Sequence, residues 1–370
     1  MRVQSVQKVQ GGQRVEMIHA WQMTAPGTLC QVRLPVPPLA AGEVLVEVRG
    51  CGVCHTDLSY FYDGVPTRQK PPLILGHEIA GVVVAAAEPE ASLLGCEVIV
   101  PAVLPCGNCV LCQTGRANRC LAQQMPGNSL GIYGGFASHI PLPGGDLCPV
   151  GRHEGIPLEH LAVVADAVST PYQAARRAGL AAGDQVIVIG AGGGVGGFMV
   201  QMARALGAAT VVGIEQHAGR LAAVQPHGLD AAIHCAGMSV AEIKAAFKVF
   251  CAGRGLSAQT GWKIFEASGS QAGQELALSL LGFAGTLVVV GYGTAELPFN
   301  LSRLMALDAT VIGSWGCAPQ DYPAVLALCL DGRIALSPFV EVQPMQRIRE
   351  VFAAAQRSEL TRRVILSPDF

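Results

Sequence analysis

Charge is what this chain has least of. Asp, Glu, Lys and Arg make up 14% of its 370 residues, and 25 basic side chains stand against 27 acidic ones, a net charge of −2. There is no basic excess to hold the phosphates of a nucleic acid or an anionic membrane surface. Apolar residues make up 51% of the chain. So much apolar surface can be buried to offset chain entropy, and with so little charge this excludes intrinsic disorder. Long hydrophobic runs are missing as well. The longest apolar stretch, Leu276 to Tyr292, is interrupted by Ser279, Gly282, Gly285 and Thr286. It falls short of the roughly 20 residues of a membrane span. No internal repeat and no low-complexity tract occurs. The opening residues, Met1 to Glu16, are polar and Gln-rich and lack the apolar stretch of a secretory signal, so 1–17 reads as a lead-in segment. Thirteen cysteines without such a signal point to a reducing compartment, the cytoplasm, where thiols bind metals or stay inert.

What is present divides by texture, and the length alone favours two domains over one core. From residue 18 to 165 the apolar runs are short, β-branched and bounded by Pro and Gly, as in Glu43–Val48 and Gly81–Val84. That pattern predicts an all-β body with loops. From 166 to 312 the order becomes strand, glycine turn, helix, strand. Val186–Ile189 leads into Gly190–Gly197, then an apolar helix over Phe198–Leu206, then a strand over Thr210–Ile214. Two later strands, around Ile264–Phe265 and Leu287–Val290, continue the alternation and imply a parallel sheet covered on both faces. From 313 to 370 the spacing predicts helices over Tyr322–Leu330 and Met345–Ala355 among Pro-bounded strands.

Three constellations carry chemistry. Cys106, Cys109, Cys112 and Cys120 follow C-x2-C-x2-C-x7-C in a Gly/Pro loop. Four thiolates so close in sequence can close a tetrahedron around Zn²⁺ and leave no room for substrate, which makes this zinc structural. The bland alternative, four unrelated buried thiols, does not produce that spacing. Cys54-His55-Thr56-Asp57 and Gly76-His77-Glu78 form the second. A thiolate, an imidazole and an oxygen ligand would leave zinc one open position, as catalysis requires. Either residue alone would read as a buried thiol or a satisfied core histidine. The third is Gly190, Ala191, Gly192, Gly193, Gly194, Val195 and Gly196, after a buried strand and opening a helix, where the backbone can approach a pyrophosphate. Glu215 closes the next strand, about 20 residues beyond the glycine loop, the spacing of a ribose-binding acid. An acid there accepts the ribose hydroxyls of NAD and repels a 2′-phosphate, so NAD is preferred to NADP.

Together these motifs resemble the zinc-dependent medium-chain alcohol dehydrogenase family, from about Ile18 to Phe370. The resemblance implies an α/β two-domain fold, a GroES-like β domain (18–165, completed by 313–370) with a Rossmann doubly wound parallel sheet (166–312) that binds NAD. It implies two zincs per chain: a structural one on Cys106, Cys109, Cys112 and Cys120, and a catalytic one on Cys54, His77 and Asp166, with Glu78 nearby as an occasional ligand. Asp57 would orient the imidazole of His77. Thr56 would take the proton of the substrate alcohol, and Ser59 stands where many members carry a relay histidine. His55 and Arg363 would supply cations to the pyrophosphate, and Arg220 would lie near the adenosine ribose.

The departures bear on substrate. Val65 and Val103 occupy pocket positions that are often Trp or Phe in enzymes for small primary alcohols, which implies a wider pocket. Asp166 puts a hard oxygen where a second cysteine is common and makes the zinc a stronger Lewis acid. The segments Leu58–Pro66, Met125–Gly135, Gly261–Glu266 and Ile312–Cys317 resemble members acting on a cyclic hydroxy-enoyl-CoA thioester. The expectation is therefore an oxidoreductase for a small-molecule secondary alcohol, with no nucleic-acid or membrane partner and a homo-oligomeric state, tetramer or dimer. A family member acting on another alcohol, a polyol or an aldehyde is the nearest alternative. A zinc-free, quinone-reductase-like relative is the other, and the four-cysteine loop argues against it.

Overall fold

The computed structural model describes Lys8, Val9 and residues 15–370, and these divide into two compact units. The lead-in lies outside the described residues except for its last three and the short strand Lys8–Val9, which pairs with Ala86 and Ala85. The first unit takes the chain as far as Ser169 together with Gly316–Leu330 and Phe339–Phe370. The second takes Thr170–Trp315 with Asp331–Pro338. Among the described residues no helix is long and apolar enough to cross a membrane.

Alternating apolar residues build the first unit. Its main sheet runs Val340–Pro344, Arg363–Ser367, Glu43–Gly52, Glu78–Ala86, Glu97–Val100 and Cys148–Pro149, with His139–Pro143 beside the start of Glu43–Gly52. Arg363–Ser367 lies antiparallel to Glu43–Gly52, with Ile365 opposite Gly52 and Leu366 opposite Cys51. The helix Ile348–Gln356 buries Ile348, Val351, Phe352 and Ala355, one face at helical spacing. Phe352 stacks edge-on against Phe61 and Phe136 in the same core. The β pattern did not announce the short helical pieces of this region, which include His55–Phe61, Val110–Gln113 and the 3-10 stretch Leu158–Ala165. The last packs across Glu43–Gly52 and Glu78–Ala86, and Leu161 to Ala165 are wholly buried.

The second unit is a six-stranded sheet in which every pairing is parallel, in the order Ala231–His234, Thr210–Glu215, Gln185–Ile189, Trp262–Glu266, Thr286–Val289 and Thr310–Gly313. Helices Gly196–Ala205, Ala218–Val224, Val240–Gly253 and Gln271–Leu280 make crossovers between them, the doubly wound Rossmann arrangement. The four inner strands are those the hydrophobic runs gave away. The two edge strands were not expected; Thr310 and Val311 are exposed, and a strand without a buried face shows no hydrophobic pattern. The fold class expected from sequence is the one observed.

Two candidate metal centres and a dinucleotide loop

Strand register assembles the first centre. Gly52 lies opposite Glu78, so the residues following one strand and preceding the other, Cys54 and His77, meet at the same end of the sheet. A bulge between Val48 and Gly50 re-aims the strand just before it arrives. Asp166 follows the buried 3-10 stretch that crosses both strands. Its Oδ2 lies 3.6 Å from Cys54 Sγ and 3.5 Å from His77 Nε2. A tetrahedron with ion–ligand bonds of about 2.0–2.3 Å has edges of about 3.3–3.8 Å, so a soft thiolate, an imidazole and a carboxylate stand at zinc-holding separations. Asp57 lies on the far side of the ring, with Oδ1 3.3 Å from His77 Nδ1. The same carboxylate accepts the N–H of Cys54 (3.1 Å) and of Gly76 (3.0 Å), so it ties both metal-facing segments together.

Glu78 and Arg363 complete this centre in a way the sequence did not disclose. Both Glu78 oxygens accept from the Arg363 guanidinium, Nε at 2.7 Å from Oε2 and Nη2 on Oε1. Arg363, expected as a cation for the pyrophosphate, is 7% exposed and engaged here. It forms a buried ion pair beside the metal-facing donors through Nε and Nη2. The pair reaches across Gly52, where a Cβ would lie 2.0 Å from Glu78 Oε2. Only glycine at this register position leaves room for the carboxylate. Burial pushes the Glu78 carboxyl up to about 7, against the pull of Arg363.

The second centre is local. Cys109 Sγ lies 3.5 Å from Cys112 Sγ and 3.8 Å from Cys120 Sγ. Both separations are close to the edge of a tetrahedron of four sulfurs, each bonded to zinc at about 2.3 Å. Cys106, Cys109, Cys112 and Cys120 all present sulfur to one point. Cys120 sulfur accepts the N–H groups of Cys106 and Ala122. The N–H groups of Leu121 and Cys112 lower the Cys109 thiol to about 6. Desolvation and the neighbouring sulfurs push Cys112 up to about 12. Four such sulfurs cannot all ionise without a cation among them, which is the state zinc supplies.

In the second unit the glycine loop turns from Ile189 into the helix Gly196–Ala205. Gly196 admits no side chain, since a Cβ would lie 1.9 Å from the Gly190 carbonyl oxygen. Gly192 donates its N–H to Glu215 Oε2 at 2.9 Å, while Oε1 accepts from Gln216 and His217. Arg220 packs against Gly192, and Gly193, Gly194 and Val195 line the turn. In the first unit, Thr56 Oγ1 stands 3.7 Å from Cys54 Sγ, His55 is exposed, Ser59 and Val65 are half-buried, and Val103 is buried. Sequence reasoning missed Gly52 and the role of Arg363, because neither has a local signature and both depend on which strands lie side by side.

Comparison with known proteins agrees with this geometry. Residues 40–152 match the alcohol dehydrogenase GroES-like domain family, and residues 194–331 match the zinc-binding dehydrogenase family. An alcohol dehydrogenase of Geobacillus stearothermophilus is 32% identical over 334 residues, 89% of this chain and 93% of that protein. An NAD-dependent alcohol dehydrogenase of Sulfolobus acidocaldarius is 29% identical, covering 81% of this chain and 85% of its own length. A thermostable alcohol dehydrogenase from Pyrobaculum aerophilum superposes with a TM-score of 0.81 at 27% identity, covering 95% of this chain and all of that one.

Proposed function

Because the chain belongs to the zinc-dependent medium-chain alcohol dehydrogenase family, we propose that it oxidises a cyclic allylic secondary alcohol with transfer of hydride to NAD. The protein is an NAD-dependent, zinc-binding oxidoreductase. The substrate we infer is 6-hydroxycyclohex-1-ene-1-carbonyl-CoA, taken to its 6-oxo product in anaerobic benzoyl-CoA degradation in the cytoplasm. The observation that carries the reading is the triangle of Cys54, His77 and Asp166, whose carboxylate replaces a second thiolate. The segments around Leu58–Pro66 and Met125–Gly135, and the small side chains of Val65 and Val103, support a bulky ring.

Zinc held by Cys54, His77 and Asp166 supplies Lewis acidity that lowers the pKa of the substrate hydroxyl, and NAD supplies the hydride acceptor. This chain's residues do the rest. Thr56 accepts the hydroxyl proton and Ser59 offers it a route outward. Asp57 holds the ring of His77 so that Nε2 faces the substrate side. Arg363 pairs with Glu78 and holds its carboxyl group close to the donors. In the second unit Gly190, Gly192, Gly193, Gly194, Val195 and Gly196 approach the pyrophosphate, Glu215 reads the ribose, and Arg220 adds positive charge.

The enone product carries a double bond polarised by both thioester and ketone, and water adding to its far carbon in the same site is a secondary reaction we include in the proposal. Exposed Leu301, Met305 and Val311 in the second unit support a homo-oligomer, dimer or tetramer. The test measures NADH formation with the cyclic hydroxy-enoyl-CoA beside simple alcohols, a polyol and an aldehyde run in reverse. Preference for the CoA ester is expected, and equal or better turnover of a simple alcohol or polyol overturns it. Loss of enone absorbance faster than with the His77→Ala variant tests the hydration.

A further inference from the structure

Asp166 owes its position to its backbone, and that backbone is held from an unexpected direction. The 3-10 stretch Leu158–Ala165 ends at Ala165, and the chain leaves helical geometry at Asp166, with φ −143 and ψ −59. Carbonyls at such an end have no partner within the helix and must find one elsewhere. The Ala165 carbonyl finds two: the Tyr322 hydroxyl donates to it, and Ser169 Oγ donates to it at 3.1 Å. Tyr322 is wholly buried at the start of the helix Tyr322–Leu330, so no water can take its place. Its oxygen also accepts the N–H of Ala102 at 3.1 Å. One phenol therefore joins the loop after Glu97–Val100, next to Val103, to the peptide immediately before Asp166.

We propose that Tyr322 is a positioning residue for zinc: by bridging the Ala102 amide and the Ala165 carbonyl it sets where the Asp166 carboxylate stands relative to Cys54 and His77. The proposal rests on the reading of Asp166 as a ligand. Removing the hydroxyl leaves the Ala102 N–H without an acceptor in a dry interior and the Ala165 carbonyl with Ser169 alone. A small rotation of that peptide then moves Oδ2 away from separations of 3.5 and 3.6 Å. Groups that orient a ligand change metal affinity about 10–100-fold when lost. Tyr322 has no local sequence signature, but a tyrosine opening an otherwise apolar helix requires a buried partner for its hydroxyl.

The experiment follows release of zinc into a chromogenic chelator from the wild type, Tyr322→Phe, Asp166→Ala and the double variant. Tyr322→Phe is expected to speed release of one of the two zincs about tenfold, leave the four-cysteine zinc at its wild-type rate, and lower kcat more than it alters KM. With cobalt in the Cys54 centre, its visible absorption bands are expected to shift. In the Asp166→Ala background Tyr322→Phe is expected to add nothing. Additive acceleration there, or release at the wild-type rate from Tyr322→Phe while Asp166→Ala releases fast, overturns the proposal. A wild-type rate for Asp166→Ala itself instead removes Asp166 from the ligand set. Should Tyr322→Phe not fold, Ser169→Ala takes the other donor from the same carbonyl. It is expected to speed release from the same centre, and an unchanged rate overturns the proposal.

Discussion

The two metal centres of the first unit are built in opposite ways. One draws four like ligands from a single loop, Cys106 to Cys120, and surrounds its ion with sulfur. The other gathers four donors of three kinds, Cys54, His77, Glu78 and Asp166, from separate segments of the chain; on our proposal Cys54, His77 and Asp166 hold the ion and leave a position open. A closed centre depends on little beyond its own loop, while an open one depends on the whole sheet for its geometry. Each centre is therefore vulnerable in its own place: the first through its ligands alone, the second through every residue that sets the register.

The sharpest separation of the two is chemical. His77→Ala should lower turnover about a thousandfold or more, the scale of losing a Lewis acid worth several kcal/mol. Metal analysis should then find one zinc in place of two, with NAD binding retained; near-normal turnover would remove His77 from the ligands. Cys109→Ser should act on stability instead. Closing a loop of this length is worth about 3 kcal/mol in the comparable case of a disulfide, a melting temperature lower by about 5–10 °C. The folded fraction should keep its kcat, and an unshifted melting curve would contradict the structural role.

Gly52→Ala tests the dependence on register directly. Its Cβ would meet the Glu78 carboxylate at 2.0 Å, so Glu78 and Arg363 must part. A loss of about 1–3 kcal/mol in stability together with lower kcat is expected from such overpacking. Gly107→Ala, in open space within the cysteine loop, should cost only the strain of its positive φ. Equal outcomes for the two would erase the contrast. The weakest effect belongs to neither centre. His153 presents both ring nitrogens, to the Ile156 carbonyl and to Glu97 Oε2, each at 2.7 Å. The Ile156 carbonyl, followed by Glu97, raises its pKa above the ordinary 6.5. The folded pKa is raised, so this stabilisation is fully present below 6.5 and is lost as pH rises through the higher folded value. Glu97→Gln should flatten the pH dependence of stability just above that range, by less than about 1 kcal/mol, since the pair is partly solvated and screened. Melting curves recorded across neutral pH check this, and an unchanged profile would remove Glu97 as a partner that matters.

The same contrast explains what could be read from the chain. The cysteine loop was legible because its ligands are neighbours in sequence, and so were the inner strands Gln185–Ile189 and Thr210–Glu215, whose apolar runs reflect burial on both faces. Cys54 and His77 were legible as motifs, but not their meeting, which needs Gly52 opposite Glu78. The resemblance gave Arg363 as a cation for the pyrophosphate, but not its pairing with Glu78, because nothing local says that its strand lies beside Gly52. The edge strands Ala231–His234 and Thr310–Gly313 escaped for the opposite reason, having little buried surface to leave a pattern.

The antiparallel pairing of Ile365 with Gly52 sets an order of assembly during synthesis. The cysteine loop can take up its ion as soon as Cys120 has left the ribosome. The strand carrying Arg363 follows the second unit in sequence, so Glu78 gains its buried partner only after that unit has been made. Every candidate metal donor is therefore made well before the guanidinium that pairs with one of them.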